Sequence, residues 1–92
     1  MIVAKHQRTF VIVNALGLHA RAAAVLVQTA NRFRAETYVE KDGSRVNGKS
    51  IMGVLMLAAA KGSEVVVSCE GEDADEAMLD VARLIEAGFG ER

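Results

Sequence analysis

Residues 17–21 read Gly-Leu-His-Ala-Arg and place a cationic side chain two positions after a nucleophilic one. A neutral imidazole nitrogen is a nucleophile, and histidine titrates near physiological pH, so His19 can accept a phosphoryl group and release it again. The planar guanidinium of Arg21 can hold phosphoryl oxygens, each charged hydrogen bond contributing about 1.5–3 kcal/mol. An isolated histidine near a helix start is more often a capping or surface residue. The surrounding sequence must therefore decide whether His19 has a chemical role.

The chain around this histidine predicts the element that positions it. Asn14 and Gly17 indicate a turn, and a helix is predicted over roughly residues 19–32. The first N–H groups of a helix lack internal partners, and the helix dipole adds about half a positive charge at that end. The backbone N–H groups of Ala20 and Arg21 are therefore predicted to bind phosphate. The apolar face of this helix is formed by Ala23, Leu26, Val27, Ala30 and Phe33.

Four segments have the alternating or β-branched pattern of strands. Asp42-Gly43 is a strong hairpin signal between the second and the third of them. Cys69 is predicted to be a small buried side chain of the fourth strand, and His6 is predicted to lie in a tail before the first. The four strands cover residues 9–13, 36–41, 44–46 and 64–70.

A short apolar helix is predicted between the third and fourth strands. Ser50 can cap it, residues 51–60 form it, and Gly62 is expected to end it in the left-handed conformation. Its apolar side chains exceed what one core-facing stripe can hide, so some should face outwards and form a docking surface, with Met52 and Leu55 as favoured contacts. The alternative is a short helix that is simply well buried.

The last helix begins with a pattern similar to a capping box, Asp73 followed by Glu76, and Gly88 indicates its end. The order β-α-β-β-α-β-α leaves too little chain between strands for a fully parallel sheet. The sequence therefore predicts an α+β fold in which a four-stranded antiparallel sheet has three helices on one face. The apolar stripe of the last helix comprises Ala74, Ala77, Met78, Val81, Leu84 and Ile85.

Composition limits the class of protein. With 92 residues, 51% of them hydrophobic, the chain suffices for one domain with one core, predicted to span residues 1–92. The longest apolar run, residues 51–60, is about half of what a membrane-spanning helix needs, so no membrane insertion is expected. A lone cysteine and the lack of a Cys/His cluster favour a reduced, cytoplasmic setting with no metal and no cofactor.

Charge is strongly segregated along the chain although the net charge is only -1. Residues 1–62 carry nine basic and three acidic side chains, whereas residues 63–92 carry two and nine. Because the basic part contains His19, a locally positive surface suited to an anionic ligand or an acidic partner is expected, although ordinary solvated charge explains the same count.

Two separate motifs resemble one known family. Residues 17–21 followed by small side chains, together with residues 46–55 (Val-Asn-Gly-Lys-Ser-Ile-Met-Gly-Val-Leu), closely resemble the histidine-containing phosphocarrier protein (HPr) family of the bacterial phosphotransferase system. The resemblance covers residues 7–91, and two motifs at a matching distance are more specific than either alone. It implies an HPr-like open-faced β-sandwich.

The resemblance also implies the chemistry and the partners. His19 would be phosphorylated at Nδ1 by enzyme I, with phosphoenolpyruvate as the ultimate donor, and the phosphoryl group would pass to a IIA protein or domain. Arg21 matches the arginine beside the phosphohistidine, and Ser50 matches the serine that HPr kinase/phosphorylase modifies in many bacteria. The protein would be a phosphoryl relay and not an enzyme with its own small substrate. The expected partner interface comprises Leu18, Ala20, Ala24, Lys49, Ile51, Met52 and Leu55.

One position departs from the family pattern, since Ala22 stands where proline usually follows the arginine. Proline in a first helical turn presets the backbone and lacks the N–H that would be unsatisfied there. We expect phosphotransfer to persist with an altered rate or phosphohistidine lifetime. The departure leaves open whether the relay serves sugar uptake or a regulatory nitrogen-type branch.

Three other functions fit parts of the sequence. A regulator could use phosphorylation of His19 or Ser50 to change which protein the apolar helix binds, without relaying phosphate. An RNA-binding module also has a four-stranded sheet, but 4% aromatic residues and a slightly negative net charge argue against nucleic acid. A phosphatase is disfavoured because no second acid, base or metal cluster accompanies His19. A monomer is expected, because a carrier must present one face to successive partners.

Overall fold

The computed structural model describes residues 4–91. Four antiparallel strands form one sheet in the order β1-β4-β2-β3, which confirms the predicted α+β architecture with three helices. A 3₁₀ turn, Gly88–Gly90, follows the last helix. The elements are β1 (Lys5–Val11), α1 (Ala20–Ala30), β2 (Glu36–Lys41), β3 (Ser44–Asn47), α2 (Ile51–Met56), β4 (Glu64–Glu70) and α3 (Ala74–Glu86).

The core lies between the sheet and the helices. Every second residue of a strand points to the same face, so alternate side chains of β2 and β4, among them Val39, Val65 and Val67, are buried in the core. Cys69 belongs to this set and is fully buried, as predicted. The most deeply buried large side chains are Ile12, Leu26, Val39, Val54, Val65, Val67, Val81 and Ile85.

The first strand begins earlier than its β-branched run suggests. It pairs with the whole of β4, from Lys5 opposite Glu70 to Val11 opposite Glu64. His6 is therefore not in a tail, as predicted: it lies in β1 opposite Cys69, and its ring is ion-paired with Asp75 of α3. Long-range backbone pairing extends the strand into residues with no strand pattern of their own.

The second helix is shorter than predicted and does not end at Gly62. It stops at Met56, and Ala58 takes the left-handed conformation with φ 49°. Leu57 and Ala59 are both buried, so the chain leaves the helix in order to turn these two side chains inwards. Gly62 also has positive φ, but it belongs to the turn before β4, where its N–H donates to the carbonyl of Ile12 at 2.8 Å.

The predicted capping box of α3 was wrong. Asp73 occupies the N-cap position, but its side chain makes no capping hydrogen bond to α3. It accepts the backbone N–H groups of Arg34 at 2.9 Å and Ala35 at 2.8 Å. These bonds, the Arg34 bond first, lower the pKa of Asp73. The carboxylate thus connects the start of α3 to the loop before β2.

The segregation of charge along the sequence is not preserved in space. Within residues 4–91, five ion pairs join a cationic or histidine side chain of the first 62 residues to a carboxylate beyond them. Exposed pairs of this kind contribute only about 0–1 kcal/mol each, but they balance charge locally. The expected positive surface at His19 needs correction, because a carboxylate contacts its ring. The five pairs are His6–Asp75, Arg8–Glu86, His19–Glu91, Arg32–Asp80 and Arg45–Glu70.

Across residues 4–91 the longest helix, α3, has 13 residues, and none of the helices is both long and apolar enough to cross a membrane.

Candidate phosphoryl-acceptor site

His19 is the N-cap residue of α1. Its backbone is extended, with φ -72° and ψ 178°, and its side chain makes no capping hydrogen bond. The carbonyl of His19 already accepts the first helical bond, from the N–H of Ala23 at 2.8 Å. The imidazole is about one quarter exposed, at 27%. The helix therefore holds the backbone of His19 while leaving the ring free for chemistry.

A turn with a left-handed glycine brings the chain into this position. Gly17 has φ 63°, and its N–H donates to the carbonyl of Asn14 at 3.1 Å. The next residue, Leu18, is 4% exposed and donates its N–H to the carbonyl of Ala59 at 2.9 Å. Leu18 was expected in the partner interface, and this is wrong. Its side chain is buried in the core, and this burial anchors the chain immediately before His19.

The predicted phosphate-binding groups lie at the open end of α1. Ala20 and Arg21 are the first two residues of the helix, so their N–H groups have no carbonyl partner within it. Both residues are exposed, and the side chain of Arg21 lines a depression of about 300 Å³ together with Leu16 and Glu91. The residue types needed to bind phosphate are thus gathered at one end of one helix.

Glu91 contacts the ring of His19 and was missed by sequence reasoning. Its Oε2 lies 2.5 Å from Nε2 of His19, and its Oε1 accepts the side-chain amide of Asn14 at 2.9 Å. The same amide donates to the carbonyl of Gly17 at 2.8 Å. The Asn14 hydrogen bond, followed by the contact with His19, lowers the pKa of Glu91. Glu91 is 72 positions from His19 and follows no periodic pattern, so no local signal indicated it.

The segment after α3 carries Glu91 to the site. Gly88, Phe89 and Gly90 all have positive φ, which folds the chain back towards the start of α1. Phe89 is 7% exposed and belongs to the core cluster. Burial of this aromatic ring anchors the segment, and Glu91 is held at 16% exposure beside His19.

Ser50 caps α2, as predicted. Its Oγ accepts the N–H of Gly53 at 3.1 Å from an extended N-cap conformation. The preceding residue, Lys49, donates its ammonium to the carbonyl of Phe33 at 2.7 Å. This ammonium is therefore engaged with the loop after α1.

The remaining residues of the expected partner interface differ in exposure. Ile51 is 44% and Met52 69% exposed, whereas Leu55 is half-buried and packs on the core. Ala20 is exposed, and Ala24 and Lys49 are half-buried. Two other large apolar side chains are more exposed than these: Leu16, in the turn before His19, is 70% exposed, and Met56 is 78% exposed.

Other reactive side chains take no part in this site. Cys69 is a free, buried thiol whose pKa is raised by burial. Within residues 4–91, no three His, Cys, Asp or Glu side chains converge in a way that could hold a metal ion. Tyr38 stacks under the guanidinium of Arg45 at 3.9 Å, and Phe10 is buried, so both strand aromatics pack against the protein.

A partly exposed histidine at a helix N-terminus, with an arginine two residues on and an open-faced antiparallel sheet, defines the class of phosphoryl-carrier domains. The family model described as PTS HPr component phosphorylation site matches residues 6–87. The phosphocarrier protein HPr of Neisseria meningitidis is 54% identical over 80 residues, covering 87% of this chain and 90% of the relative. The chain belongs to the HPr family, whose members are non-enzymatic phosphoryl carriers of the phosphotransferase system.

Two solved structures support this assignment. HPr of Thermoanaerobacter tengcongensis superposes with a TM-score of 0.92 at 47% identity, covering 95% of this chain and 98% of that chain. Crh of Bacillus subtilis, described as a catabolite repression protein that forms a dimer with a swapped domain, has a TM-score of 0.74 at 46% identity. The match to Crh covers 80% of this chain and 85% of that chain.

Proposed function

We propose that this protein accepts a phosphoryl group on Nδ1 of His19 from enzyme I, with phosphoenolpyruvate as the ultimate donor, and passes it to a IIA protein or domain. The observation that carries the proposal is the position of His19 at the N-cap of α1 with a side chain that caps nothing. A histidine retained there as a capping residue would be expected to accept a helix N–H, so capping does not explain its presence.

In the proposed step, each bond that forms is matched by a bond that breaks, and no cofactor or metal is needed. The lone pair of Nδ1 attacks phosphorus, the bond between phosphorus and the donor breaks, and its electron pair leaves with the donor. Arg21 and the free N–H groups of Ala20 and Arg21 compensate the charge of the phosphoryl oxygens. Transfer to the acceptor is the same step in reverse, with Nδ1 of His19 as the leaving group.

The test is incubation with enzyme I and labelled phosphoenolpyruvate, comparing the parent with His19→Ala and with His6→Ala as a matched control. His6 is the second histidine of the chain, paired with Asp75 in β1 and placed in no part of the site. Acid-labile, base-stable label is expected on the parent and on His6→Ala and not on His19→Ala. An unlabelled parent, with enzyme I from the same organism, contradicts the relay.

The acceptor distinguishes sugar uptake from a nitrogen-type branch. Phosphorylated protein is mixed in turn with a sugar-type and a nitrogen-type IIA domain, and the loss of label from His19 is followed. Faster transfer to one of them assigns the branch. If label leaves His19 no faster with either IIA domain than without one, a role in passing phosphate onward is contradicted.

We further propose that a kinase of the HPr kinase/phosphorylase type modifies Ser50. Phosphate at an N-cap is compatible with the helix dipole and adds up to about two negative charges beside Ile51 and Met52, which would repel an acidic partner. Incubation with such a kinase and ATP should label the parent and not Ser50→Ala. Label on both proteins, or on neither, ends this proposal.

A second function is favoured by the exposed apolar side chains Ile51, Met52 and Met56 and by the likeness to Crh. In that case the protein is a phosphorylation-controlled regulator that binds a partner through α2. His19→Ala would then retain partner binding while accepting no phosphate, and Met52→Asp would lose partner binding.

We expect a cytoplasmic monomer whichever of the two functions holds. A dimer in analytical sedimentation, as in the Crh structure, would contradict this expectation.

A further inference from the structure

We infer that Glu91, held in place by Asn14, is a positioning residue that keeps the proton of the His19 ring on Nε2 and leaves the lone pair on Nδ1. The inference deepens the proposed function and rests on it, since it concerns which nitrogen of His19 reacts. It assigns a task to two residues outside both motifs of the family resemblance.

The geometry requires a proton between the two side chains. Nε2 of His19 and Oε2 of Glu91 are 2.5 Å apart, which is too close for two such atoms without a hydrogen between them. An ionised carboxylate has no hydrogen to donate, so the donor must be Nε2–H. The lowered pKa of Glu91 keeps it ionised at neutral pH. A neutral ring that carries its proton on Nε2 has its lone pair on Nδ1, which is the nitrogen proposed to attack phosphorus.

Asn14 determines where the carboxylate sits. Its amide nitrogen bridges the carbonyl of Gly17 and Oε1 of Glu91, so it connects the turn before His19 to the segment after α3. Asn14 is 4% exposed, and the two hydrogen bonds donated by its amide nitrogen orient the side chain. Glu91 uses one oxygen for Asn14 and the other for His19, which prevents the carboxylate from rotating away.

The same contact assists the reaction after the tautomer is set. When Nδ1 forms its bond to phosphorus, the ring keeps the proton on Nε2 and acquires positive charge. The carboxylate of Glu91 lies directly against that charge. The bond is already charge-assisted by the carboxylate, and a positive charge on the donor turns it into an ion pair, so the contact strengthens as the phosphoryl group arrives. Glu91 then acts through His19 and touches neither donor nor acceptor.

The first readout is the tautomer of the unphosphorylated ring, measured from ring ¹⁵N chemical shifts at about pH 9, where an imidazole is neutral. His6→Ala assigns the signals. In the parent we expect Nε2 to have the shift of a protonated nitrogen and Nδ1 that of an unprotonated one. In Glu91→Ala the two shifts should move towards each other, because both tautomers are populated. The matched control is Glu86→Gln, a carboxylate that lines a second depression together with Asn14 and Glu91.

The second readout is the initial rate of labelling by enzyme I. Glu91→Ala should lower it about tenfold, the effect expected for loss of one charge-assisted hydrogen bond. Glu91→Gln keeps an oxygen that can accept Nε2–H and should restore part of the rate, and Glu86→Gln should match the parent. Backbone amide spectra confirm that each variant is folded.

The two hypotheses fail in different ways. A parent that takes no label contradicts the proposed function, whatever its ring tautomer. A parent that is labelled, with ring shifts in Glu91→Ala equal to its own, overturns the positioning role alone. Ring shifts that change without any change in rate overturn the claim that the tautomer matters for transfer.

Discussion

A Cβ atom on Gly17 would lie 2.4 Å from the carbonyl oxygen of Ala59. That carbonyl accepts the N–H of Leu18, so the turn before His19 rests directly on the loop after α2. Two chain segments about 40 residues apart meet with only backbone between them. The position of His19 therefore depends on a residue without a side chain.

Gly17→Ala should destabilise the protein and slow labelling of His19. A left-handed conformation costs an alanine about 1–2 kcal/mol, and the contact with Ala59 adds a clash with backbone that cannot move freely. Urea unfolding measures the loss. The control is Gly43→Ala, because Gly43 has φ 83° but nothing within 4 Å of its added Cβ. Equal losses for the two variants would show that the contact with Ala59 costs nothing.

Ser50→Ala should lower the free energy of unfolding by about 1 kcal/mol, because the N–H of Gly53 loses its acceptor. The rate of labelling of His19 by enzyme I should not change, since Ser50 is not part of that site. Ser50→Asn keeps a capping oxygen and should stay close to the parent in stability. A stability of Ser50→Ala equal to the parent would mean that water replaces the cap without cost.

Asp73→Asn should change the pH dependence of stability. The pKa of Asp73 is lowered in the folded state, so its carboxylate stabilises the fold at pH values above about 3.9, its unfolded value. That contribution is lost as the pH falls through the lower folded value. The variant should be less stable than the parent at pH 7 and should lose less stability between pH 7 and pH 2. Asp42→Asn, an exposed carboxylate of the hairpin, is the control, and identical pH profiles for both variants would contradict the prediction.

Ala22→Pro should leave the fold intact and alter the rate of phosphotransfer. Ala22 is the third residue of α1, and the first helical bond is donated by Ala23, so proline there breaks no bond within the helix. A compatible proline typically stabilises by about 0.4–1 kcal/mol through the unfolded state. Proline also removes one N–H from the phosphate-binding end. Transfer rates for the variant and the parent that agree closely would contradict this prediction.

Local patterns predicted the elements that local interactions build. The 3.6-residue spacing from Ala23 to Ala30 predicted α1, and Asp42-Gly43 predicted the hairpin of β2 and β3. Errors occurred where a distant contact overrides the local preference. Leu57 and Ala59 turn into the core and end α2 before Gly62, while backbone N–H groups beyond α1 take the side chain of Asp73 away from its own helix.

The candidate site also has a part that local sequence predicts and a part that depends on distant contacts. His19, Arg21 and the helix start lie within a few residues of one another, so the sequence alone predicted the candidate nucleophile, its cation and its anion-binding backbone. The burial of Leu18, the backbone contact between Gly17 and Ala59, and the carboxylate of Glu91 on the ring were decided only by the tertiary structure. The physical reason is chain separation: helix periodicity and turn chemistry act over a few residues, whereas a contact across 72 positions exists only when the packed core brings its ends together.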